Sequence, residues 1–245
     1  MKKHLLVLGL IVSMLFFAGC GSGGSGGGSG GGGNSKPGGG LPDVPSVSGG
    51  GSINESRGGA VVKEDNLEDF VMELLEAIGG FDDLDDYFNA ARTRAKTRSE
   101  SNLRELKVQK WGPVTETHDG KHGRIVTTIS GEYGWDDVKD FYYAKGTAKV
   151  EIFDFSGNGK LYLGGAVGAS FYMYESATEV SMEGKINGKI NFNGTYQGVI
   201  EFRNLHASMS TGKVNPNIKG DVVIVSGGET HSLKKYLEEL MNEFL

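Results

Sequence analysis

The sequence predicts an α+β protein in which an antiparallel β-sheet, or a partly closed β-barrel, is flanked by N-terminal helices and a C-terminal helix. Three observations support this fold class. Apolar and polar residues alternate between Val180 and Phe202, apolar residues recur at helical spacing near both ends of the folded region, and the strand–helix alternation of a nucleotide-binding fold is missing. The folded region is predicted to be a single domain spanning residues 61–245.

Three helices are predicted in this domain. The first spans residues 66–78, where apolar residues recur every three or four positions and form one stripe. These residues are Leu67, Phe70, Val71, Leu74, Leu75 and Ile78. The second spans residues 83–97, with aspartates at its start and basic residues at its end, as the helix dipole favours. The third spans residues 231–245 and shows the same apolar spacing.

A β-rich stretch is predicted between the helices, over residues 103–226. In residues 180–202 the even positions are apolar or glycine and the odd positions are polar except Val199, which indicates one buried face. This stretch is too long for one strand, yet a two-residue turn at Asn187-Gly188 or Asn193-Gly194 would move the apolar residues to odd positions. We therefore expect odd-length loops with a glycine bulge, or a strand that continues through one of these pairs. Further strands are predicted at residues 124–132, 141–143, 147–155, 160–164, 169–174 and 221–225.

The segment before the domain has the composition of a linker. Of the 41 glycines in the chain, 16 lie between Gly21 and Gly51, among serines and few apolar side chains. Such a segment cannot bury enough apolar surface to offset the entropy lost on ordering. The sequence therefore predicts a disordered, flexible tether over residues 20–60.

The first twenty residues have the pattern of a secretory leader. Two lysines are followed by Leu5–Ala18, a run without charge that is short for a bilayer crossing. The run ends in Phe17-Ala18-Gly19-Cys20, which resembles the lipobox of bacterial lipoproteins. The resemblance implies that residues 1–19 are a signal peptide and that Cys20 carries diacylglycerol on its sulfur.

A lipid on Cys20 would make the membrane a partner of this chain, because two or three acyl chains hold a protein stably on a bilayer. The resemblance thus implies a location in the cell envelope. Gly21 after the cysteine resembles the pattern that directs lipoproteins to the outer membrane where a cell has two membranes.

Charge and cysteine content exclude several classes of function. The net charge is −6, which gives no support to nucleic-acid binding, since that needs a basic surface. The single cysteine excludes an intramolecular disulfide and any site built from several cysteines. The sequence predicts no cofactor and no catalytic residues.

One motif resembles half of a calcium-binding loop. Asp154, Ser156 and Asn158 place oxygen atoms at positions 1, 3 and 5, with glycine at position 6. Position 12 is Gly165 instead of the glutamate that such a loop requires. These three residues are thus weak metal-ligand candidates, and a hairpin turn is the favoured interpretation.

Eleven aromatic residues lie between Tyr133 and Tyr174. One interpretation is an aromatic cleft for a ligand, and the other is an ordinary sheet core with cross-strand aromatic pairs. The candidate ligand surface consists of Trp135, Tyr142, Phe153, Phe155, Tyr162, Tyr172 and Tyr174. The strand around Phe153 is apolar on both faces, so a helix or a partner is expected to cover its second face. His206 falls on the even, apolar face and is predicted to lie in the core or at its edge.

These observations predict a lipid-anchored cell-envelope protein with a non-enzymatic, β-rich binding module on a flexible tether. Besides the membrane, the expected partner is an envelope protein or an apolar or sugar-like ligand. Two alternatives stay open. One is a carrier or assembly factor that holds a lipid or lipoprotein in an open barrel, and the other is an envelope hydrolase whose carboxylates only the fold brings together.

Overall fold

The structure, a computed structural model, describes residues 39–47, 51–78, 107–136, 141–210 and 217–234. Strands contain 68% of these residues, and they form a mostly antiparallel sheet accompanied by one short α-helix. The predicted antiparallel sheet is therefore confirmed, whereas the helical share of the described chain is small. The predicted helix 83–97 lies outside the described residues.

The elements of the described chain form a simple meander. They are β1 (Ala60–Val61), α1 (Leu67–Ile78), β2 (Lys107–Asp119), β3 (His122–Asp136), β4 (Phe141–Ser156), β5 (Leu161–Ser176), β6 (Val180–Gly194), β7 (Tyr196–Ser210), β8 (Asn217–Ser226) and β9 (Glu229–Ser232). Strands β2 to β9 pair in sequence order, each antiparallel to the next, and β1 pairs with β7 in parallel. Within the described ranges the edge strands β2 and β9 do not pair with each other, so this sheet is open and is not closed into a barrel.

The strands are longer than the sequence predicted. β4 joins two predicted strands, and β5 continues through Gly164–Gly168, where the sequence predicted a break. Continuous pairing with neighbours on both sides holds these glycines in the ladder. β9 was predicted as the start of helix 231–245. That start is wrong, because His231 and Ser232 pair with β8, and residues 235–245 lie outside the described chain.

The alternation in residues 180–202 has the predicted consequence. Phe192 pairs with Gly198 around an odd-length loop, so the apolar residues stay at even positions on both strands. β6 also runs through Asn187-Gly188, where the register with β7 shifts at a bulge. Both expected features are therefore present: the odd-length loop at Asn193-Gly194 and the strand that continues through Asn187-Gly188.

A bulge also explains where the alternation fails. Asn204 has a φ of 49°, and the register of β7 against both neighbours shifts around it. As a result Leu205 lies in the core, while the Nε2 atom of His206 lies 2.9 Å from Glu183 Oε1 on the opposite face. The core position predicted for His206 is therefore wrong, whereas the partial burial of its side chain, which is 25% exposed, agrees with the predicted alternative of a boundary position.

Helix α1 packs its apolar stripe on one face of the sheet, as predicted. Phe70 is fully buried, and its ring centroid lies 4.6 Å from that of Phe192 and 5.6 Å from that of Tyr196. The Gly157 N–H donates a hydrogen bond of 2.7 Å to the carbonyl of Ala77 near the end of the helix. In the described residues no helix has the length and apolar character that a bilayer crossing requires.

The two faces of the sheet are covered differently. Val167 and Ala169, at odd positions of β5, belong to the apolar cluster that contains α1, and this side is the helix face. Gly164, Ala166 and Gly168, at even positions, lie on the opposite side. Residues 39–47 and 51–58, together called the strap, lie against that side, which is here called the strapped face.

The strap corrects the predicted extent of the tether. A disordered segment was predicted over residues 20–60, but the structure places residues 44–47 and 51–60 against the sheet. The physical reason is that this part carries spaced aliphatic side chains and one arginine, whose partners lie about a hundred residues later in the chain. The composition of the whole segment is dominated by glycine and serine, so a prediction from composition does not register these few residues.

Candidate functional site

Exposure in the first half of the strap follows a three-residue period. Asp43 and Ser46 are exposed, whereas Val44 and Val47 are partly buried. A polyproline II helix has three residues per turn, so residues three apart face the same side. Methyl carbons of both valines lie 3.1 and 3.4 Å from the position that a Cβ atom on Gly168 would occupy.

Glycines in β5 form the trough that receives the strap. A Cβ atom on Gly168 would lie 2.5 Å from the carbonyl oxygen of Pro45, and one on Gly164 would lie 2.4 Å from Ile53 Cγ2. Ala166 separates the two glycines on the same face. Because side chains at these positions would collide with the strap, the pair of glycines makes this close approach possible.

An arginine clamp holds the second half of the strap. Arg57 donates hydrogen bonds to both carboxylate oxygens of Asp154, with 2.8 Å between Nη2 and Oδ2, and its guanidinium carbon lies 3.6 Å from the centroid of the Tyr162 ring. The Asn54 N–H also donates to Asp154 Oδ1 at 3.3 Å. The hydrogen bond from Arg57 holds the pKa of Asp154 below its ordinary value, against the opposing effect of burial. A bidentate pair stacked on an aromatic ring is a strong way to fix arginine.

A pocket of about 470 Å³ that is open to solvent, called the cavity below, lies between the strap and strands β6, β7 and β8. Its volume falls within the range of small-molecule sites. It is lined by Gly51, Ser52, Ile53, Gly58, Asn191, Phe192, Asn193, Gln197, Gly198, Val225, Ser226 and Gly227. None of these residues is ionisable, and the polar side chains among them are amides and hydroxyls.

Asn193 connects the strap to this cavity. The side chain is almost completely buried, and its amide N–H donates a hydrogen bond of 2.7 Å to the carbonyl of Asn54 in the strap. Its Oδ1 atom is buried and has no hydrogen-bond partner among the described residues. An unsatisfied buried acceptor is costly, so this oxygen favours a neighbouring N–H or O–H donor.

The predicted metal ligands serve other purposes. Asp154 binds Arg57, and Ser156 Oγ accepts a hydrogen bond of 2.9 Å from the Gly159 N–H. Asn158 Nδ2 donates to Glu73 Oε1 at 2.8 Å, while Asn158 Oδ1 accepts from backbone N–H groups that follow it. These bonds build the turn between β4 and β5. The described residues contain no group of three or more histidine, cysteine, aspartate or glutamate side chains that could hold a metal.

The predicted aromatic ligand surface is not one surface. Pairing places Tyr142 and Phe155 on the helix face. The strapped face carries Phe153, Tyr162, Tyr172 and Tyr174. The Trp135 side chain lies outside the described residues, while its backbone pairs with Tyr142. Phe155 is fully buried and Tyr172 is 1% exposed, so neither offers a surface to a ligand.

The aromatic prediction had one correct element. The second apolar face near Phe153 is covered as expected, but the strap of this same chain covers it, and not the helix or partner that was predicted. A Cβ atom on Gly51 would lie 2.6 Å from the ring of Phe153. Arg124 lies on another side of that ring, 5.4 Å from its centroid.

The residues that build the cavity were not predicted from the sequence. Arg57 and Asn54 were assigned to the tether, and Asn193 was considered only as half of a turn. A usable signal was present in the three-residue spacing of Leu41, Val44 and Val47. This spacing is typical of a polyproline II segment that packs against a surface.

No family model, no curated protein and no solved structure matches this chain. The function proposed below therefore rests on the residues and the geometry of the site.

Proposed function

We propose that this chain is a lipid-anchored bacterial cell-envelope protein whose β-rich domain binds an uncharged, sugar-like ligand without converting it. The observation that carries the binding part is the cavity beneath the strap, with its lining of amide and hydroxyl groups and its lack of ionisable residues. The anchor rests on the lipobox-like sequence that ends at Cys20.

The lining favours a neutral, polar ligand over the other classes. A charged ligand would lose part of its hydration on entering the cavity. The lining offers no opposite charge to compensate, so binding would be costly. An apolar ligand would displace water from the amides of Asn191 and Gln197 without replacing its hydrogen bonds. A sugar-like ligand offers hydroxyl donors and acceptors to the amide groups of the lining, in particular to Asn191 and Gln197.

The anchor would place this cavity at a membrane surface. A diacylated, or further acylated, Cys20 binds a bilayer stably, and Gly21 favours the outer membrane where there are two membranes. A location in the cell envelope gives access to surface sugars and to other envelope proteins, which are the partners that the sequence predicts.

The two alternative functions have less support from the site. A hydrolase needs an acid and a base near the substrate, and the described lining of the cavity contains no carboxylate, histidine or other ionisable group. A carrier needs an open apolar cavity, whereas the apolar residues of the helix face pack with α1 into one buried cluster. Both alternatives stay as hypotheses that the binding experiment can separate from the leading one.

Calorimetric titration with chitotriose, an uncharged sugar with hydroxyl and amide groups, tests the ligand class. We expect saturable binding to the full chain. Asn193→Ala and Gln197→Ala should each weaken it about tenfold, the effect of losing one hydrogen bond of about 1.4 kcal/mol. Thr195→Ala is the matched control, because Thr195 is exposed between the two residues and does not line the cavity. No binding, or equal loss in the control, contradicts the proposal.

Mass spectrometry of the chain recovered from bacterial membranes tests the anchor. We expect a mature N-terminus at Cys20 with the mass of attached acyl chains, and release of the Cys20→Ser variant from the membrane fraction. An unmodified thiol with residues 1–19 still attached would show that the chain is not a lipoprotein.

A further inference from the structure

We infer that ligand binding in the cavity and docking of the strap are coupled, so that the ligand sets how far the domain reaches from its anchor. This inference rests on the proposed function and deepens it. Its basis is that the strap forms one wall of the cavity and is also the last part of the chain before the domain.

The two walls of the cavity come from different parts of the chain. Gly51, Ser52 and Ile53 supply the strap wall, while Asn193 and Gln197 belong to the sheet wall. A ligand that contacts both walls binds only the docked state, so by thermodynamic linkage it must also favour docking.

Asn193 belongs to both parts of this coupling. Its Nδ2 atom holds the strap through the carbonyl of Asn54, and its Oδ1 atom is the unsatisfied acceptor. Asn193 lines the cavity, so a ligand that packs on its side chain holds the amide in the orientation that donates to Asn54. The coupling therefore has a definite atomic path of one side chain.

Several contacts hold the strap. They are the Arg57–Asp154 pair on the Tyr162 ring, the hydrogen bonds from the Asn54 N–H to Asp154, from Asn193 to Asn54 and from the Gly194 N–H to Gly58, and the packing of Val44, Val47 and Ile53 on the glycines of β5. Arg57 and Asp154 keep 24% and 34% of their side-chain surface exposed. Contacts of this kind can be opposed by the chain entropy that the strap regains on release.

Release of the strap would change the reach of the anchor. With the strap docked, about 20 residues separate Cys20 from the sheet, and with the strap released about 40 do. The fully extended limit rises from about 65 Å to about 130 Å.

Tryptic cleavage after Arg57 reports docking directly. Trypsin must take the arginine side chain into its own pocket, so cleavage requires that Arg57 leave Asp154 and Tyr162. When opening is fast, the cleavage rate follows the population of the released state. The assay uses the full chain with Cys20→Ser. The product of cleavage after Arg57 begins at Gly58 and is identified by its mass.

Two variants should increase cleavage after Arg57 about tenfold relative to the unchanged strap. Asp154→Asn removes the charge that holds Arg57, and Gly168→Ala displaces the strap sterically without any change of charge. Asp119→Asn is the matched control, because Asp119 is exposed at the end of β2 and takes part in none of the strap contacts described above. An unchanged rate in both test variants, with folding verified by circular dichroism, overturns the inference.

The ligand arm uses chitotriose. At ten times its dissociation constant it should slow cleavage after Arg57 about tenfold, and the tenfold weaker binding of Asn193→Ala should reduce this protection to about twofold. If calorimetry shows binding but cleavage is not slowed, the coupling is wrong and the proposed function stands. If calorimetry shows no binding while Asp154→Asn still accelerates cleavage, the proposed ligand is wrong and the coupling falls with it.

Discussion

The guanidinium group of Arg57 donates hydrogen bonds to both carboxylate oxygens of Asp154, a residue 97 positions away in the sequence. Arg57 belongs to a glycine-rich segment, and Asp154 lies at a bulge of β4 with a φ of 47°. This pair joins a segment that resembles a linker to the sheet. It makes the linker part of a candidate binding site, because the cavity lies directly beside the clamped segment.

The clamp predicts a defined dependence of stability on pH. The pKa of Asp154 is lowered in the folded protein, chiefly by its hydrogen bond to Arg57. A lowered pKa means that the stabilisation is complete above the ordinary carboxyl range and is lost as the pH falls through the folded-state value. Urea unfolding should therefore show that Asp154→Asn costs about 1 kcal/mol at pH 7 and pH 5, and that this difference shrinks below the ordinary range.

The control for this experiment is Asp119→Asn, which changes an exposed carboxylate outside the clamp. Its effect should stay small at every pH. A difference between the unchanged chain and Asp154→Asn that grows with acidification would contradict the assigned direction.

Gly168→Ala tests the trough by a double-mutant cycle. Alanine fits the backbone here because the φ of Gly168 is not in the left-handed region, but its Cβ atom would meet Pro45 and Val44. Overpacking of this kind should lower the free energy of unfolding by about 1–3 kcal/mol. In a chain that already carries Val44→Ser and Val47→Ser, the same change should cost almost nothing, because the strap is no longer held there. If Gly168→Ala lowers the free energy of unfolding equally in both backgrounds, its effect does not come from contact with the strap.

Phe70→Ala tests the packing of α1 on the helix face. The ring is fully buried against Phe192 and Tyr196, and its removal leaves a cavity in the apolar cluster. We expect a loss of about 3–5 kcal/mol in urea unfolding. Met72→Ala on the same helix is the control, since Met72 is 38% exposed and should change stability by less than about 0.5 kcal/mol.

Ser226→Ala tests the buried connection between β1 and the sheet. Ser226 Oγ accepts a hydrogen bond from the Val62 N–H at 2.9 Å and donates one to the Gln197 carbonyl at 2.5 Å. Its loss leaves a buried N–H without an acceptor, which should lower the free energy of unfolding by about 1–3 kcal/mol. A change below about 0.5 kcal/mol would mean that these groups find other partners.

Local patterns predicted much of the fold. The apolar stripe of α1 placed the helix within one residue of its observed start at Leu67, because helical spacing is a property of neighbouring residues. The alternation in β6 and β7 predicted the odd-length turn, because only an odd-length loop keeps the apolar residues of both strands at even positions on the buried face. It failed at His206, where a bulge that depends on both neighbouring strands shifts the register.

The candidate site was much less predictable. The aromatic residues grouped by sequence position separate onto two faces, because successive residues of a strand point in opposite directions. Asn193 gave no signal of its own, since an asparagine before glycine is typical of a turn. Its role follows only from its contact with Asn54, a residue 139 positions earlier.

The sequence alone determined the elements whose cause is local: the stripe of the first helix, the buried face of the strands and the turns between them. It also carries the lipobox-like motif that predicts an anchor at Cys20. Only the tertiary structure decided where the linker ends, because docking of the strap depends on Asp154, Gly164 and Gly168. These partners lie far away in the sequence, and the sheet must form before they present a surface to which the strap can bind.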